Sequence, residues 1–528
     1  MSNSPLPTGF ARAIIVITTI SAAIMELIDT SIVNVALSDI SGNLGATIED
    51  TAWVVTAYAI ANVIIIPLTG FFAKLFGRKK YYIVSIFIFT ISSYMCGQAG
   101  SLVSLVIWRF IQGIGGGALL STSQGILFDA FEQAKRPMAS AMFGMGIVLG
   151  PTIGPILGGY IVDNYSWPLI FYINIPFGIV ATLLTLRFIR RTEDEKNPNR
   201  EKPAIDFMGI SFLALGVGSL QYVLERGESD DWFEDSTIII LSIVAAIGLI
   251  SFIYRELTIA KPMINLHVMK RRNLWASNVL TFSVGFGMFG SVFIFPVLVQ
   301  RILGYTPTDA GFGLVPSAIA AIFCMPIVGR RLGAGTPPLV FVVIGFVFFI
   351  LHGYTSSLVT PDVGLPFFFW TQIFRGIGTA CLTVPLINQA VVGLTPQEMP
   401  SGIALTNMLR QLGGAFGIAV MNTYVTQRYA VHRGDLISHL QQSDPNLIQR
   451  LSQYQAGAIS AGINPTQSTD FSYKVLDLAV TKQGFLLAYA DSFLLISLFF
   501  VCVIPFMFLL RTQKVDKATM QKISEESH

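Results

Sequence analysis

The sequence predicts an all-α membrane protein of fourteen transmembrane helices, built as two six-helix halves with an inserted helix pair between them. Three observations carry this expectation. Hydrophobic residues make up 53% of the 528 residues and charged residues only 12%, where soluble chains carry about 25% charged residues; the mean hydropathy is +0.64. The apolar residues fall in runs long enough to cross a bilayer, which takes roughly 20 residues. The basic residues collect in alternate connections between those runs, as the positive-inside rule requires of a multi-pass chain.

In chain order, spans are expected near 12–37, 52–73, 81–99, 103–128, 138–162, 168–189, 207–225, 236–256, 276–300, 310–330, 339–358, 366–394, 401–425 and 485–510. Lys74, Arg78, Lys79 and Lys80 lie between spans 2 and 3, and Lys135 and Arg136 follow span 4. Arg187, Arg190, Arg191, Lys196, Arg200 and Lys202 follow span 6; Lys261, Lys270, Arg271 and Arg272 follow span 8. Arg330 and Arg331 follow span 10, and Arg511, Lys514, Lys517 and Lys522 come after span 14. The alternate loops carry acids instead: Asp39, Glu49 and Asp50, then Asp163, then Glu228, Asp230, Asp231, Glu234 and Asp235. Both termini are therefore expected in the cytoplasm, and the span count is even. The first run is too long for a cleavable signal and is followed by further spans.

Span 1 contains Glu26 and Asp29. Each costs about 2.5–3.5 kcal/mol at mid-helix on insertion scales. Three residues apart, they project from one face, with Asn34 and Ser31 extending a polar stripe. Two such acids in a low-dielectric cavity cannot both ionise cheaply, so Asp29 is expected to carry a proton with Glu26 assisting. In span 4, Arg109 is a cation in a glycine-rich helix and needs a partner; Asp29, Glu26 or backbone carbonyls of a neighbouring helix are the candidates. Span 5 places Gly146, Gly150, Gly154 and Gly158 every four residues, with Pro151 and Pro155 among them. This spacing makes a smooth face on a bendable helix, expected to form a moving seam between the halves. The loop with Gly70, Gly77 and Arg78 is a candidate cytoplasmic gate, with Asp129 as the partner of Arg78.

Span 12 echoes span 4: Gln372, Arg375, Gly376 and Gly378 fall opposite Arg109, Gln112, Gly113 and Gly115. Such a repeat is expected of a transporter made of two similar halves. The chain then divides into an N-terminal half (1–190), a linker and inserted pair (191–256) and a C-terminal half (257–528), the latter including an extracytoplasmic loop at 426–484. That loop reads as two or three short amphipathic helices broken at Asp444-Pro445 and Asn464-Pro465. Tyr58, Gln112, Phe286, Phe289, Phe293, Trp370, Gln372 and Arg375 are the candidate substrate-binding residues, because aromatic surfaces re-pack around varied apolar ligands.

Other chemistries are not supported. No Gly-x-x-x-x-Gly-Lys-Ser/Thr loop is present to cradle ATP. The five histidines are isolated, and Cys96, Cys324, Cys381 and Cys502 sit apart in apolar segments, so no metal or other cofactor is expected and the proton gradient is left as the energy source. The net charge of +3 is segregated along the chain and implies no nucleic-acid partner.

Taken together, Leu27-Ile28-Asp29-Thr30 with Asn34, Ala36 and Leu37, Trp53-Val54-Val55-Thr56-Ala57-Tyr58, Arg109 with Gln112 and Gly113, Gly150-Pro151 with Gly158-Gly159, and Trp167, Phe171, Asn174, Pro176 and Gly178 resemble the fourteen-helix drug–proton antiporter branch of the major facilitator superfamily. The resemblance covers nearly the whole chain. Lys74 departs from the pattern, since that loop usually carries an Asp there; Arg375 adds a second cation in the C-terminal half. The resemblance implies the major facilitator fold, exchange of lipophilic small molecules for protons across a bacterial inner membrane in contact with its lipids, and a three-part efflux system with a periplasmic adaptor and an outer-membrane channel. A symporter, or an exporter of one metabolite, fits the residues as well; a polytopic membrane enzyme would need a catalytic constellation, and none is found.

Overall fold

A computed structural model describes residues 9–191, 203–395, 397–441 and 443–510. Most of the expected linker, with Lys196, Arg200 and Lys202, and the basic tail from Arg511 onward lie outside the described residues. Among the described residues there is helix and no strand. The longer helices are α1 (Gly9–Leu44), α2 (Trp53–Phe76), α3 (Arg78–Gly97), α4 (Leu102–Asp129), α5 (Arg136–Asn164), α6 (Asn174–Phe188), α7 (Phe207–Arg226), α8 (Ser236–Thr258), α9 (Arg272–Val297), α10 (Pro307–Gly333), α11 (Pro338–Ser357), α12 (Leu365–Gln389), α13 (Met399–Ser438), α14 (Pro445–Ser460) and α15 (Pro465–Met507).

Local chemistry starts many of them. Ser101 caps α4, Asp206 caps α7 and Asp235 caps α8, each accepting a backbone N–H of the first turn. Thr306 and Asp309 form a capping box at α10. Pro445 and Pro465 open α14 and α15, each behind a capping Asp444 or Asn464. Gly77 joins α2 to α3 at φ 92°, a backbone angle that disfavours any side chain.

Eleven helical segments among the described residues are long and apolar enough to cross a membrane. The remaining three expected spans fall on α3, α12 and α13, which are 20, 25 and 40 residues long. These are less apolar because their polar residues turn inward: Ser85 and Ser93 in α3, Gln372, Arg375 and Thr379 in α12, Asn407 and Arg410 in α13 are all buried.

Helices α1–α6 pack on one another, and α9–α13 pack with α15. The two clusters meet along α5 against α10 and along α2 against α13, while α7 and α8 pair with each other and α7 leans on α2 and α13. The repeat noted in the sequence is matched in packing. Gly113 lies on the Tyr58 carbonyl of α2 and Gly115 on Phe89 of α3; Gly376 lies on the Ser317 carbonyl of α10 and Gly378 on Phe349 of α11.

Two expectations differ. The glycine face of α5 packs on α1, inside its own cluster: Gly146 faces Ile20 and Ile24, Gly150 faces Leu27, Gly154 faces Ser31, and Gly158 faces Ile32. The face is not the seam between clusters because α1 lies on that side of α5; the seam with α10 uses Gly144 against Met325 and Ile156 against Gly311. The 426–484 segment is also not a set of separate short helices. α13 and α15 run on without a break, at 40 and 43 residues, or about 60–65 Å against a hydrocarbon core of about 30 Å. Only α14 is a separate helix, and it lies against α15. Polar ties join the two long helices where they leave the bundle: Arg428 pairs with Asp491 at 2.5 Å, His432 Nε2 lies 2.8 Å from the same carboxylate, and Arg433 pairs with Asp477 at 2.5 Å. Tyr429 stacks on Phe485 with ring centroids 3.8 Å apart.

Candidate functional site

α1 buries both of its acids, Asp29 at 0% and Glu26 at 3% exposure. Asp29 is fully engaged. Its Oδ2 accepts from Arg109 Nη1 at 2.5 Å, and its Oδ1 accepts from Gln112 Nε2 at 2.9 Å and from Asn174 Nδ2 at 2.8 Å. Arg109 also donates through Nε to the Val54 carbonyl at 3.1 Å and through Nη1 to Gln112 Oε1 at 2.8 Å. The guanidinium lies 4.2 Å from the Tyr58 ring centroid and 5.7 Å from that of Phe171. Both sequence expectations for Arg109 thus hold: a carboxylate and a backbone carbonyl share it. Asn174 is steadied by Ser93 Oγ at 3.0 Å. Five helices, α1, α2, α3, α4 and α6, close this network around one buried ion pair, which offsets the charges that membrane burial would otherwise make costly.

Glu26 does not join Arg109. Its Oε1 accepts from Asn62 Nδ2 of α2 at 2.9 Å. Its Oε2 accepts no hydrogen bond, although the Tyr58 hydroxyl lies alongside. The charge that acts on it across the boundary between clusters is Arg410 of α13. One turn of helix therefore separates a carboxylate locked by three donors from one held by a single donor.

Between the clusters lies a narrow cavity of about 20 Å³. α5 supplies one wall with Ile147, Val148, Pro151 and Thr152; Met288, Phe289 and Arg375 are on the other. Of the aromatic candidates, Phe289 lines it and Phe293 is partly buried nearby in the same helix. Phe286 is 5% exposed and stacks on Phe499, so it is core packing. Trp370 is 63% exposed and points out of the bundle, which removes it from the cavity; its position two residues before Gln372 puts it on the opposite side of α12. Gln372 is fully buried with neither amide atom hydrogen-bonded. Tyr58 and Gln112 belong to the Asp29–Arg109 network. At one end of the bundle, Arg78 and Asp129 pair at 2.6 Å as expected, and Gly70 lets α2 approach Pro400 of α13. No cluster of His, Cys, Asp and Glu that could hold a metal occurs among the described residues.

Sequence reading missed Asn62, Arg410 and Asn407, and quoted Asn174 only as part of a signature. Each is a polar side chain inside an apolar run, the same signal that singled out Glu26 and Arg109. Asn407 crosses between the clusters: its Nδ2 donates to Ser121 Oγ at 3.1 Å and Gln124 Oε1 at 2.9 Å.

Known proteins match this arrangement. Residues 19–418 match the family model described as Major Facilitator Superfamily. The multidrug export protein EmrB of Escherichia coli strain K12 is 34% identical over 476 residues, 89% of this chain and 90% of that protein. The fatty acid resistance protein FarB of Neisseria gonorrhoeae is 33% identical over 512 residues, 96% of this chain and 98% of that one. The fold resembles that of a bacterial homologue of the human lysosomal transporter Spinster, with a TM-score of 0.55 at 15% identity, covering 96% of this chain and 98% of the other. The chain is therefore a member of the Major Facilitator Superfamily, a multi-pass membrane transporter rather than an enzyme.

Proposed function

We propose that this transporter exports lipophilic, chemically varied toxic compounds across the bacterial inner membrane in exchange for protons. The names of relatives over most of the chain, which include multidrug export and fatty acid resistance, support export and the substrate class. Fourteen spans, with α3, α12 and α13 crossing alongside the eleven apolar segments, and both termini in the cytoplasm complete the reading, as does the division into halves 1–190 and 257–528 around an inserted pair. The proton gradient supplies the energy and no cofactor takes part.

One observation carries the coupling: Glu26 is buried, keeps an oxygen without a hydrogen bond and feels Arg410 from the other cluster. Gaining a proton there weakens the attraction across the boundary, and losing it restores the attraction. Proton binding thereby biases whether the clusters close or separate around the cavity. Asp29 and Arg109 hold the frame, which moves the main carrier from Asp29 to Glu26. The projecting α13–α15 hairpin is the docking element for a periplasmic adaptor that leads to an outer-membrane channel.

The test is export into proteoliposomes under an imposed pH gradient, run with a panel of lipophilic compounds. Glu26→Gln is expected to bind substrate, exchange it between equal pools, and lose the response to the gradient. Wild-type protein that moves none of the panel would refute export; gradient-driven movement surviving in Glu26→Gln would refute the carrier.

A further inference from the structure

Two other arginines are buried in the second cluster, and one of them meets no carboxylate. The charge of Arg410 acts on Glu26, but Arg375 of α12 is 3% exposed and its one side-chain hydrogen bond among the described residues is from Nε to Ser317 Oγ at 3.1 Å. Its Nη1 has no hydrogen-bond partner, and no acidic side chain acts on it among the described residues. A permanently charged guanidinium left this way in a membrane protein interior is costly. Arg109 in the same bundle differs by its counter-ion: it pairs with Asp29 and also donates to Gln112 and the Val54 carbonyl, although its Nη2 likewise has no hydrogen bond.

Arg375 lies on the wall of the inter-cluster cavity, opposite Ile147 and Pro151 and beside Met288, Phe289 and Thr379. A cationic fork set among apolar walls, at a cleft whose two sides belong to different clusters, has the chemistry for an amphiphile with a planar anionic head. A carboxylate matches the guanidinium fork through paired hydrogen bonds; at about 20 Å³ the cavity has room for little more than a water, so an apolar body lies along these walls only once the clusters part. The paired position on α4 is Gln112, bound inward to Asp29. In the echo of span 4 by span 12, arginine and glutamine have exchanged places, so that one cluster uses its arginine for its own carboxylate and the other leaves its arginine facing the cleft.

We propose that Arg375 is the anion-recognising point of the transport cavity and takes the carboxylate of lipophilic acids. The proposal deepens the export reading above and rests on it for the cavity being the substrate site.

Binding of two fluorescent or radiolabelled probes of similar bulk, pyrenebutyrate (anionic) and tetraphenylphosphonium (cationic), to the purified full chain tests it without any gradient. Wild type should bind pyrenebutyrate, and Arg375→Gln should lower the ratio of anion to cation affinity at least tenfold, with Arg375→Lys in between. Should Arg375→Gln fail to give monodisperse protein, Thr379→Asp keeps the arginine and supplies a counter-ion one turn away on the same wall; it should lower the same ratio. Equal affinity ratios in wild type and all variants, or parallel loss of both probes, would overturn the proposal. Displacement of pyrenebutyrate by phosphatidylglycerol with no effect of the substitutions would overturn it too, by placing the anion site on a lipid-facing surface. Arg375-dependent binding of pyrenebutyrate without gradient-driven export would support this inference while refuting the export reading.

Discussion

Glu26 and Asp29 lie one turn apart on α1 and are hydrogen-bonded by different helices: Asp29 by Arg109, Gln112 and Asn174, Glu26 by Asn62. The separation assigns them different work. The acid with three donors serves as a structural pivot, whereas the acid with one donor and a free oxygen is the one proposed above to exchange the proton.

Asp29→Asn should therefore damage the fold. It leaves Arg109 buried without a full counter-charge, a loss of about 3–5 kcal/mol when one partner of such a pair is removed. Melting temperature and monodisperse yield should fall sharply in Asp29→Asn and in Arg109→Gln, and the double variant should be less damaged than the sum of the two. Additive losses would show that the pair is not coupled.

Gly154→Leu should act inside the first cluster. A Cβ at Gly154 already meets Ser31 Oγ and the Ile28 carbonyl lies 3.1 Å away, so a leucine must push α1 from α5 and disturb the polar network that α1 carries. Lower thermal stability, together with weaker substrate binding, is the expected result. Normal stability with export alone abolished would return this face to the role of a seam between the clusters.

Asn407→Ala removes both hydrogen bonds that tie α13 to Ser121 and Gln124 of α4. Each is worth about 0.5–1.5 kcal/mol net, enough together to shift the balance between closed and open forms at that end by about fivefold to a hundredfold. Spin-label distances between α4 and α13 should lengthen or split into two populations. An unchanged distance distribution would leave Asn407 as local packing.

Asp206 caps α7 through Gly209 and pairs with Arg255 at 2.6 Å. The Arg255 side chain, then the helix N-terminus, hold its carboxyl below the usual carboxylate range. A depressed folded-state value means that the stabilisation is present above the unfolded value of about 3.9 and is lost as pH falls through the folded value. Asp206→Asn should melt lower than wild type at pH 6–8, and the gap should close in strong acid. A gap independent of pH would assign the loss to packing.

Replacing residues 436–480 with a short linker should leave export in proteoliposomes intact, because the ties of Arg428 and His432 to Asp491 lie closer to the bundle. Resistance in cells and co-purification with an adaptor should be lost. Co-purification that survives the deletion would place the docking surface on the membrane helices.

Trp370 and Asn62 mark where sequence reading stops. Both lie in apolar runs; the sequence reading favoured the aromatic and passed over the amide, although the amide carried the same signal of a polar side chain in an apolar run as Glu26. In the fold, Trp370 faces outward and Asn62 holds Glu26. Facing direction within a membrane helix is weakly encoded, because lipid and protein interior are both apolar and a phenyl or indole ring suits either.

Charge carries more information than shape. Glu26, Asp29, Arg109 and Arg375 were legible from one sequence because an ionisable residue in hydrocarbon is costly and turns to the bundle interior, and the span positions were legible because bilayer thickness sets helix length. Tertiary structure alone decided the pairings: that Arg109 takes Asp29 and not Glu26, that the α5 glycines meet α1, that α13 and α15 run unbroken beyond the bundle, and that Arg375 is left facing a cleft. Partner choice depends on distances of a few ångströms between helices far apart in sequence. Those distances come from how closely backbones pack, which hydropathy and spacing along one chain do not encode.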